Sequence, residues 1–366
     1  MWIRNSCFAD RLLALVKEWR LPRCVGRAAA GLIVAIISLA GFHEASAETC
    51  KAAAYPIKSN EGYEHDKWLR GQEAGDLKFE FQGFISIYDG LDDDDSNADL
   101  PNVLSQPEYV TQEIHRYVEG GMFLYPAGFS RPSKWYEFSK FTGTPTKTGV
   151  TTLKLDGSYT GEGTVWNRGH MATRNLVNRV SSEAGCNSHD FANAIPQYWS
   201  LNQGEWLALE NYAGALANKY GTAWQISGPI FLPDAEVETI GQDSEVRIPI
   251  PHEVFKVIIF EVEDDIFVRA YLFQQPTYHQ VKAIMSSNGD KPPLMGFHLC
   301  RTTDQEAYDF TPYASTLSEI ERLTGIIFFP AASASEKSAL NDYSSRAIWK
   351  IDKQFFEKPC GEEQPE

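Results

Sequence analysis

The segment Asn167-Arg-Gly-His170 holds two side chains suited to phosphodiester chemistry. On an extended strand, residues two apart point to the same face, so Arg168 and His170 would lie side by side. A nearby guanidinium disfavours protonation of the imidazole, which keeps His170 available as a general base, and Arg168 can bind a phosphate through two hydrogen bonds. The structural alternative is a histidine hydrogen-bonded to backbone at a strand end, beside a surface arginine.

More polar side chains stand at the start of a predicted helix. Between Leu201 and Tyr220, apolar residues recur every three or four positions, which predicts an amphipathic helix of about five turns. Asn202-x-x-Glu205 fits a capping box at its start. On a regular helix Glu210 would lie about 80° around the axis from Asn202, so an amide oxygen and a carboxylate could serve one Mg²⁺ site. An exposed helix acid is the structural alternative for Glu210.

In this order and spacing, these pieces resemble the DNA/RNA non-specific endonuclease family, the ββα-metal, endonuclease G-like nucleases. The resemblance covers residues 131–330 and is carried by Tyr159-Thr-Gly-Glu-Gly-Thr-Val-Trp-Asn-Arg-Gly-His-Met-Ala172, Phe191-Ala-Asn-Ala-Ile-Pro-Gln197, Leu201-Asn-Gln-Gly-Glu-Trp206 and Leu209-Glu-Asn-Tyr212. Ile226–Phe231, Pro251–Ile258 and Glu319–Gly325 also look like the family's downstream strands and final helix.

The resemblance implies a role for each polar residue. His170 would be the general base that activates water, and Asn202 the single direct protein ligand to Mg²⁺, with Mn²⁺ as an alternative metal. Glu210 would orient water bound to the metal, and Asn193, which by itself indicates only a turn before a proline, would help to order the site. Arg168 would bind the scissile phosphate. DNA and RNA would be the substrates, and the products would carry 5′-phosphates.

Two positions depart from the family pattern. Asn167 stands where the family usually has aspartate, and Gly214 where some members place a phosphate-binding arginine. Arg174 and Arg131 are candidate substitutes for that arginine. Two further functions therefore stay open, a nuclease-fold protein that binds nucleic acid with weakened turnover, and a phosphodiesterase for small substrates.

The charge of the chain opposes binding to nucleic acid. Its formal net charge is −16, and this becomes −19 without residues 1–47, which carry six cations and three acids. Phosphate binding normally uses a basic surface, so a nuclease of this composition needs a local cationic site. At 43% hydrophobic and 13% aromatic residues, the chain has the composition of a packed globular protein.

The first 47 residues have the order of a targeting segment. Six cations precede an apolar run from Ala28 to Phe42, and Ala45-Ser-Ala47 follows. This pattern predicts a signal peptide cleaved after Ala47, a secreted or periplasmic protein, and no stable membrane association after cleavage. The run is shorter than the ~20 apolar residues of a transmembrane helix. Because the leader is rich in arginine, a mitochondrial transit peptide is the alternative.

Four cysteines lie beyond the leader. In an oxidising compartment an even number predicts two disulfides, with three pairings open. We favour Cys186 with Cys300 and Cys50 with Cys360, the second of which would join the two ends of the chain.

Strand and helix patterns alternate without a regular repeat, which predicts an α+β fold with a mixed or antiparallel sheet core, flanking helices and, by resemblance, the ββα-metal motif. The predicted regions are a signal peptide (1–47), an N-terminal extension (48–75), the endonuclease domain (76–331) and a peripheral C-terminal tail (332–366). Whether the protein forms a homodimer is left open by the sequence.

Individual elements are predicted from local patterns. They are a strand at Lys78–Tyr88, an acidic loop at Asp92–Asp95 that fails the EF-hand pattern, a strand at Ala223–Pro229, a hairpin within Val254–Phe273 and a helix from the capping box Thr316-Leu-Ser-Glu319 to Gly325.

Overall fold

The computed structural model describes residues 48–50, 62–70, 77–88, 106–116, 129–130, 132, 135–136, 155–160, 165–242, 245–263, 265–288, 292–300, 310–340 and 346–357. The chain divides into two units, residues 1–46 and residues 47–366, and the described residues all belong to the second. The predicted leader, the acidic loop Asp92–Asp95 and Arg131 lie outside the described residues.

The strands of the described part form one large sheet and three small pairs. They are β1 (Glu48–Thr49), β2 (Leu77–Glu80), β3 (Ile85–Tyr88), β4 (Tyr109–His115), β5 (Phe129–Ser130), β6 (Trp166–His170), β7 (Ala194–Tyr198), β8 (Thr222–Ile230), β9 (Thr239–Ile240), β10 (Ile248–Pro249), β11 (Glu253–Val262), β12 (Asp265–Gln274) and β13 (Ala314–Ser315). The large sheet has the order β13-β12-β11-β8-β4-β3-β2, with every neighbouring pair antiparallel. The small pairs are β1 with β5 (parallel), β6 with β7 and β9 with β10 (both antiparallel).

Helices cover both faces of the large sheet. They are α1 (Leu155–Tyr159), α2 (Arg174–Val177), α3 (Ser182–Asn187), α4 (Trp199–Leu201), α5 (Leu207–Tyr220), α6 (Tyr278–Asn288), α7 (Leu317–Thr324), α8 (Ala334–Leu340) and α9 (Arg346–Trp349), with a π-helical turn at Asn202–Trp206 and 3₁₀ turns at Phe191–Asn193, Thr311–Tyr313 and Lys353–Phe355. None of these described helices has the length and apolar character needed to cross a bilayer.

Side chains alternate between the two faces of each strand and so enter two separate cores. On β11, Ile258 and Phe260 pack in the core that contains α5, whereas Val257 and Ile259 pack in the core that contains α7. The hairpin β6–β7 belongs to the first core. An antiparallel sheet between helices confirms the predicted α+β class, and β6, β7 and α5 follow one another in the order of a ββα unit.

Two strand predictions are confirmed and one is wrong. β8 covers the predicted strand at 223–229, and β11 and β12 form the predicted hairpin. The predicted strand at 78–88 is instead the hairpin β2–β3, in which the amide of Phe81 donates to the carbonyl of Phe84 (2.9 Å). The rings of these two residues stack with centroids 4.4 Å apart and are buried. The turn therefore has the apolar residues expected of a continuous strand.

The helix predicted from Thr316 is confirmed, and α7 ends as expected. The hydroxyl of Thr316 accepts a hydrogen bond from the amide of Glu319 (3.1 Å). Gly325 has φ +75°, a left-handed conformation that glycine adopts without strain.

Segments on both sides of the predicted domain pack against it. Leu69, from the predicted extension, is buried and bridges to Phe328. Trp349 and Phe356 are buried in the first core, and the hydroxyl of Tyr212 donates to the carbonyl of Trp349. The prediction of a peripheral tail is therefore wrong for residues 346–357, which contribute Trp349 and Phe356 to the first core.

The preferred disulfide pairing is also wrong. Cys50 is bonded to Cys186, with their Cα atoms 5.7 Å apart. Cys50 directly follows β1, and β1 pairs with β5, which packs beside α3 where Cys186 lies. Cys300 is disulfide-bonded as well. The pairing depends on strand neighbours that spacing along the chain does not reveal.

Candidate active site

The hairpin β6–β7 presents His170 at the end of β6. A Cβ atom at Gly169 would lie 2.5 Å from the side chain of Gln197, so only glycine lets the opposing strand pack this closely. The imidazole of His170 packs against the rings of Trp135 and His189, with centroids 4.6 and 5.1 Å away. These contacts fix the imidazole at the strand end.

Asn193 holds the loop that leaves His170. This side chain is fully buried and bridges two segments. Its Oδ1 accepts from the amide of Ala172 (2.6 Å), and its Nδ2 donates to the carbonyls of Ala172 (2.8 Å) and Ser188 (3.0 Å). The arrangement goes beyond the turn chemistry that the sequence indicates, because all three bonds cross between separate elements.

Two buried side chains bind the next carbonyls of the same loop. The indole Nε1 of Trp206 donates to the carbonyl of His170 (3.1 Å), and Nε2 of Gln225, on β8, donates to the carbonyl of Met171 (2.8 Å). Buried carbonyls need such donors, since leaving one unpaired costs about 1–3 kcal/mol. The backbone around His170 is thereby tied to both the large sheet and the helical segment.

Arg168 lies on the same face of β6 as His170, as the alternation of the strand predicts. Its Nη2 forms an ion pair with Oδ1 of Asp156 (2.8 Å), and its guanidinium lies 5.2 Å from the ring centroid of Tyr159. About a quarter of each charged side chain is exposed, so the pair is accessible to solvent.

Asn202 lies on a π-helical turn that joins α4 to α5. Its Nδ2 donates to Oδ1 of Asn167 (3.0 Å), and Oδ1 of Asn202 accepts no hydrogen bond from any described residue. Gly204, with φ −110° and ψ −115°, breaks the regular helix, so the single predicted helix and its 80° angle are wrong over this turn. Asn202 is held instead by Asn167, the residue three positions before His170.

Glu205 does not form the predicted capping box, because it is buried against a distant loop. Its Oε1 accepts from the amide (2.9 Å) and from Nδ1 (3.2 Å) of His298 and from the hydroxyl of Tyr313 (3.2 Å). A Cβ atom at Gly204 would collide with the carbonyl of His298. The loop at 292–300 thus packs directly on the π turn that carries Asn202.

Glu210 is a buried carboxylate in the first turn of α5, and not the exposed helix acid of the structural alternative. Burial raises the pKa of Glu210, and this is opposed by the ammonium of Lys256 and by the neighbouring Thr173 and Trp206. Oε1 of Glu210 lies 4.0 Å from Nζ of Lys256. Trp206 therefore adjoins both Glu210 and the backbone of His170.

The structure shows what occupies the space at Gly214. A Cβ atom there would lie 2.8 Å from Nη2 of Arg179, which also forms an ion pair with Glu357. The two charged side chains are almost fully buried. Arg174, the described candidate for the missing arginine, begins α2 and is half-buried. The space at Gly214 is thus filled by an arginine that neighbours no predicted site residue in sequence.

Three residues of this region were assigned no site role from the sequence, namely Trp206, Arg179 and Lys256. Trp206 fits the apolar stripe of a helix, and Arg179 follows a short helix. The sequence does contain a signal for Lys256, because this lysine interrupts the apolar run Val254–Phe260 of β11. Both of its neighbours in the chain are buried.

The polar groups suit a hard divalent cation that keeps most of its water. Oδ1 of Asn202 accepts no hydrogen bond from a described residue, and the carboxylate of Glu210 neighbours Trp206 of the same π turn. Within the described part of the chain, no three histidine, cysteine, aspartate or glutamate side chains form a group that could hold a metal. A site with one amide oxygen as ligand fits Mg²⁺ better than metals that need several side chains.

Known nucleases are similar to part of this chain. The mitochondrial nuclease EXOG of Homo sapiens is 30% identical over 178 residues, a match that covers 47% of this chain and 41% of EXOG. The mitochondrial endonuclease G of Bos taurus is 25% identical over 183 residues, covering 48% of this chain and 51% of that protein. The chain therefore matches only about half of the length of these relatives.

A solved structure of an endonuclease G in complex with EndoGI, described as showing the mechanism of inhibition, aligns with a TM-score of 0.46 and 17% identity. The alignment covers 72% of this chain and 89% of that chain.

The secreted or periplasmic location predicted from the leader is wrong by this comparison. EXOG and endonuclease G are both named as mitochondrial. The apolar run and Ala45-Ser-Ala47 favoured the signal peptide, whereas the arginine-rich composition pointed to the mitochondrial alternative.

The family model described as DNA/RNA non-specific endonuclease matches residues 114–335, which is more than half of the chain. Its members are metal-dependent nucleases. The match includes the hairpin β6–β7, the π turn and α5, which together carry His170, Asn202 and Glu210. This chain therefore belongs to the DNA/RNA non-specific endonuclease family.

Proposed function

We propose that this chain is a metal-dependent endonuclease that hydrolyses phosphodiester bonds of DNA and RNA without strong sequence preference. The observation that carries the proposal is a pair of hydrogen bonds between β6 and the helical segment. Asn167 accepts from the side chain of Asn202, and Trp206 donates to the carbonyl of His170. The candidate base and the candidate metal ligand are thereby held in one rigid frame.

His170 is the proposed general base. Its ring is packed on two sides, and three elements hold its backbone and the loop after it, so the imidazole is positioned before substrate arrives. A positioned base contributes about 10²–10⁴-fold to a hydrolytic rate. In this role His170 removes a proton from the attacking water.

Arg168, which is partly exposed and lies two residues before His170 on β6, is the proposed phosphate ligand. Its ion pair with Asp156 is partly exposed and therefore contributes little to stability. A phosphate can replace that carboxylate and accept two parallel hydrogen bonds from the guanidinium. Arg168 thus supplies part of the local positive charge that a chain of net charge −16 needs.

The proposed metal is Mg²⁺, held by Oδ1 of Asn202, with Mn²⁺ as the alternative. When bound, it would supply Lewis-acid stabilisation of the negative charge that develops on the phosphate and on the leaving oxygen. The carboxylate of Glu210 accepts hydrogen bonds from water at the site, and Asn193 keeps the loop after His170 in place. Products with 5′-phosphate ends are part of the proposal.

We also propose a mitochondrial location, supported by the names of EXOG and endonuclease G and by the arginine-rich leader. The Cys50–Cys186 disulfide favours an oxidising part of that organelle. Fluorescent fusions with and without residues 1–47 test this. Loss of mitochondrial signal on removing the leader is expected, and the same cytosolic signal from both fusions would refute it.

The decisive test is cleavage of supercoiled plasmid and of RNA by residues 48–366. We expect nicking of both polymers with Mg²⁺, no cleavage with a chelator, and a rate about 10²–10⁴-fold lower for His170→Ala. His279→Ala is the matched control, because that side chain is 83% exposed on α6. If the wild type leaves both polymers intact, or cleaves at the same rate as His170→Ala, the proposal fails.

A further inference from the structure

One buried charge near the site has no part in the function proposed so far. Lys256 lies in the middle of β11 and is fully buried, although a lysine ammonium is strongly hydrated in water. Its Nζ makes no hydrogen bond to any described residue. A buried charge of this kind is costly unless a partner compensates it.

The compensating groups both belong to the candidate site. Nζ of Lys256 lies 3.9 Å from the ring centroid of Trp206 and 4.0 Å from Oε1 of Glu210. An ammonium over an indole face is attracted by the negative potential of the ring, and more strongly when both are desolvated. The same indole donates its N–H to the carbonyl of His170. Lys256 therefore contacts the carboxylate of Glu210 and the indole of Trp206, which itself binds the backbone of His170.

The electrostatics of the pair follow from its burial. Removal from water lowers the pKa of Lys256, and the carboxylate of Glu210 partly opposes this. The pKa of Lys256 is lowered to about 7 as the result of both effects. For Glu210 burial raises the pKa, and the ammonium lowers it. Each charge thus favours the ionised form of the other, and Lys256 is the side chain that favours an ionised Glu210 most strongly.

We propose that Lys256 is a positioning residue of the nuclease site, which holds the carboxylate of Glu210 in place and ionised and supports the Trp206 indole that binds the backbone of His170. This inference rests on the proposed function, because it assigns Lys256 to the same site. Lys256 does not touch the reacting atoms; it acts through Glu210 and Trp206.

A double-mutant cycle tests the proposal. Wild type, Lys256→Met, Glu210→Gln and the double variant are compared for kcat, KM and thermal unfolding, with Lys282→Met on the exposed face of α6 as the matched control. We expect Lys256→Met to lower kcat by about 10- to 100-fold while KM changes by less than about 3-fold, and to lower it by less than about 3-fold in the Glu210→Gln background.

Stability supplies the second measurement. Removing one member of a buried ion pair is more harmful than removing both, so the double variant should melt above Lys256→Met. If Lys256→Met does not fold and the double variant does, the coupling is confirmed. Equal losses of kcat in both backgrounds, or a double variant that also fails to fold, overturn the inference. An inactive wild type would instead overturn the proposed function.

Discussion

The two faces of the large sheet are equally buried but differ in chemistry. Towards α7 the central strands present mainly apolar side chains, and the buried Thr111 and Glu113 of β4 are the polar exceptions there. Towards α5 the same strands present buried polar side chains, although their neighbours there are apolar. The apolar set includes Ile85, Ile87, Trp224, Ile226, Phe255 and Val257, and the polar set consists of Ser86, Gln112, Gln225, Ser227 and Lys256.

Most of the polar set binds the loop that follows His170 or an element beside it. The hydroxyl of Ser86 donates to the carbonyl of Ala192 (2.6 Å), and Gln112 accepts from the amide of Thr173 (3.2 Å). Gln225 binds Met171, and Lys256 pairs with Glu210. The hydroxyl of Ser227, which lies opposite Lys256 in the ladder, makes no hydrogen bond to any described residue.

The comparison indicates that one face of the sheet is specialised for stability and the other for positioning. Burying a polar side chain costs free energy unless it finds a partner. On the face towards α5, Ser86, Gln112 and Gln225 find their partners in backbone groups outside regular helices and strands, which have no hydrogen-bonding partner within a regular element. Lys256 finds its partner in the side chain of Glu210. Substitutions on the two faces should therefore affect different measurements.

The largest effect is expected on the polar face, from Gln225→Leu. The carbonyl of Met171 would lose its buried donor, which costs about 1–3 kcal/mol and loosens the loop after His170. We expect kcat to fall by about 10- to 100-fold, measured on plasmid and RNA at saturating Mg²⁺. A variant that loses stability and keeps its kcat would show that this face does not position the site.

Val257→Ala is the matched substitution on the apolar face, one residue from Lys256 in β11. It removes two methyl groups from a fully buried side chain, so the free energy of unfolding should fall by about 2 kcal/mol. Denaturant titration measures this, and kcat should stay within about 2-fold of wild type. A loss of kcat as large as that of Gln225→Leu would remove the distinction between the faces.

The smallest effect is expected from Asn167→Asp, at the edge of the site. A carboxylate can still accept from Nδ2 of Asn202 and adds a negative charge beside the candidate metal ligand. The Mg²⁺ concentration for half-maximal activity should fall by about 3- to 10-fold, with kcat changed by less than about 3-fold. If the wild type binds nucleic acid without cleaving it and Asn167→Asp cleaves, the chain is the weakened nuclease that the sequence left open.

The sequence by itself determined the elements whose signals are local. The capping box at Thr316, the end of α7 at Gly325 and the hairpin β11–β12 each depend on residues within a few positions of one another. The family followed from residue order and spacing, because the motif around His170 lies on one short strand and the residues that accompany it follow within 40 positions. Such local patterns can be read from the sequence because they depend on neighbouring residues and not on distant parts of the chain.

Only the tertiary structure decided the partners of the buried charges. Glu205 looked like a capping residue and is buried against His298, 93 residues away, and Cys50 is bonded to Cys186 across 136 residues. In the sequence Lys256 only interrupts an apolar strand, whereas in the fold it contacts Trp206 and Glu210. The free energy of a buried polar group depends on its neighbours in space, and a linear pattern does not contain them.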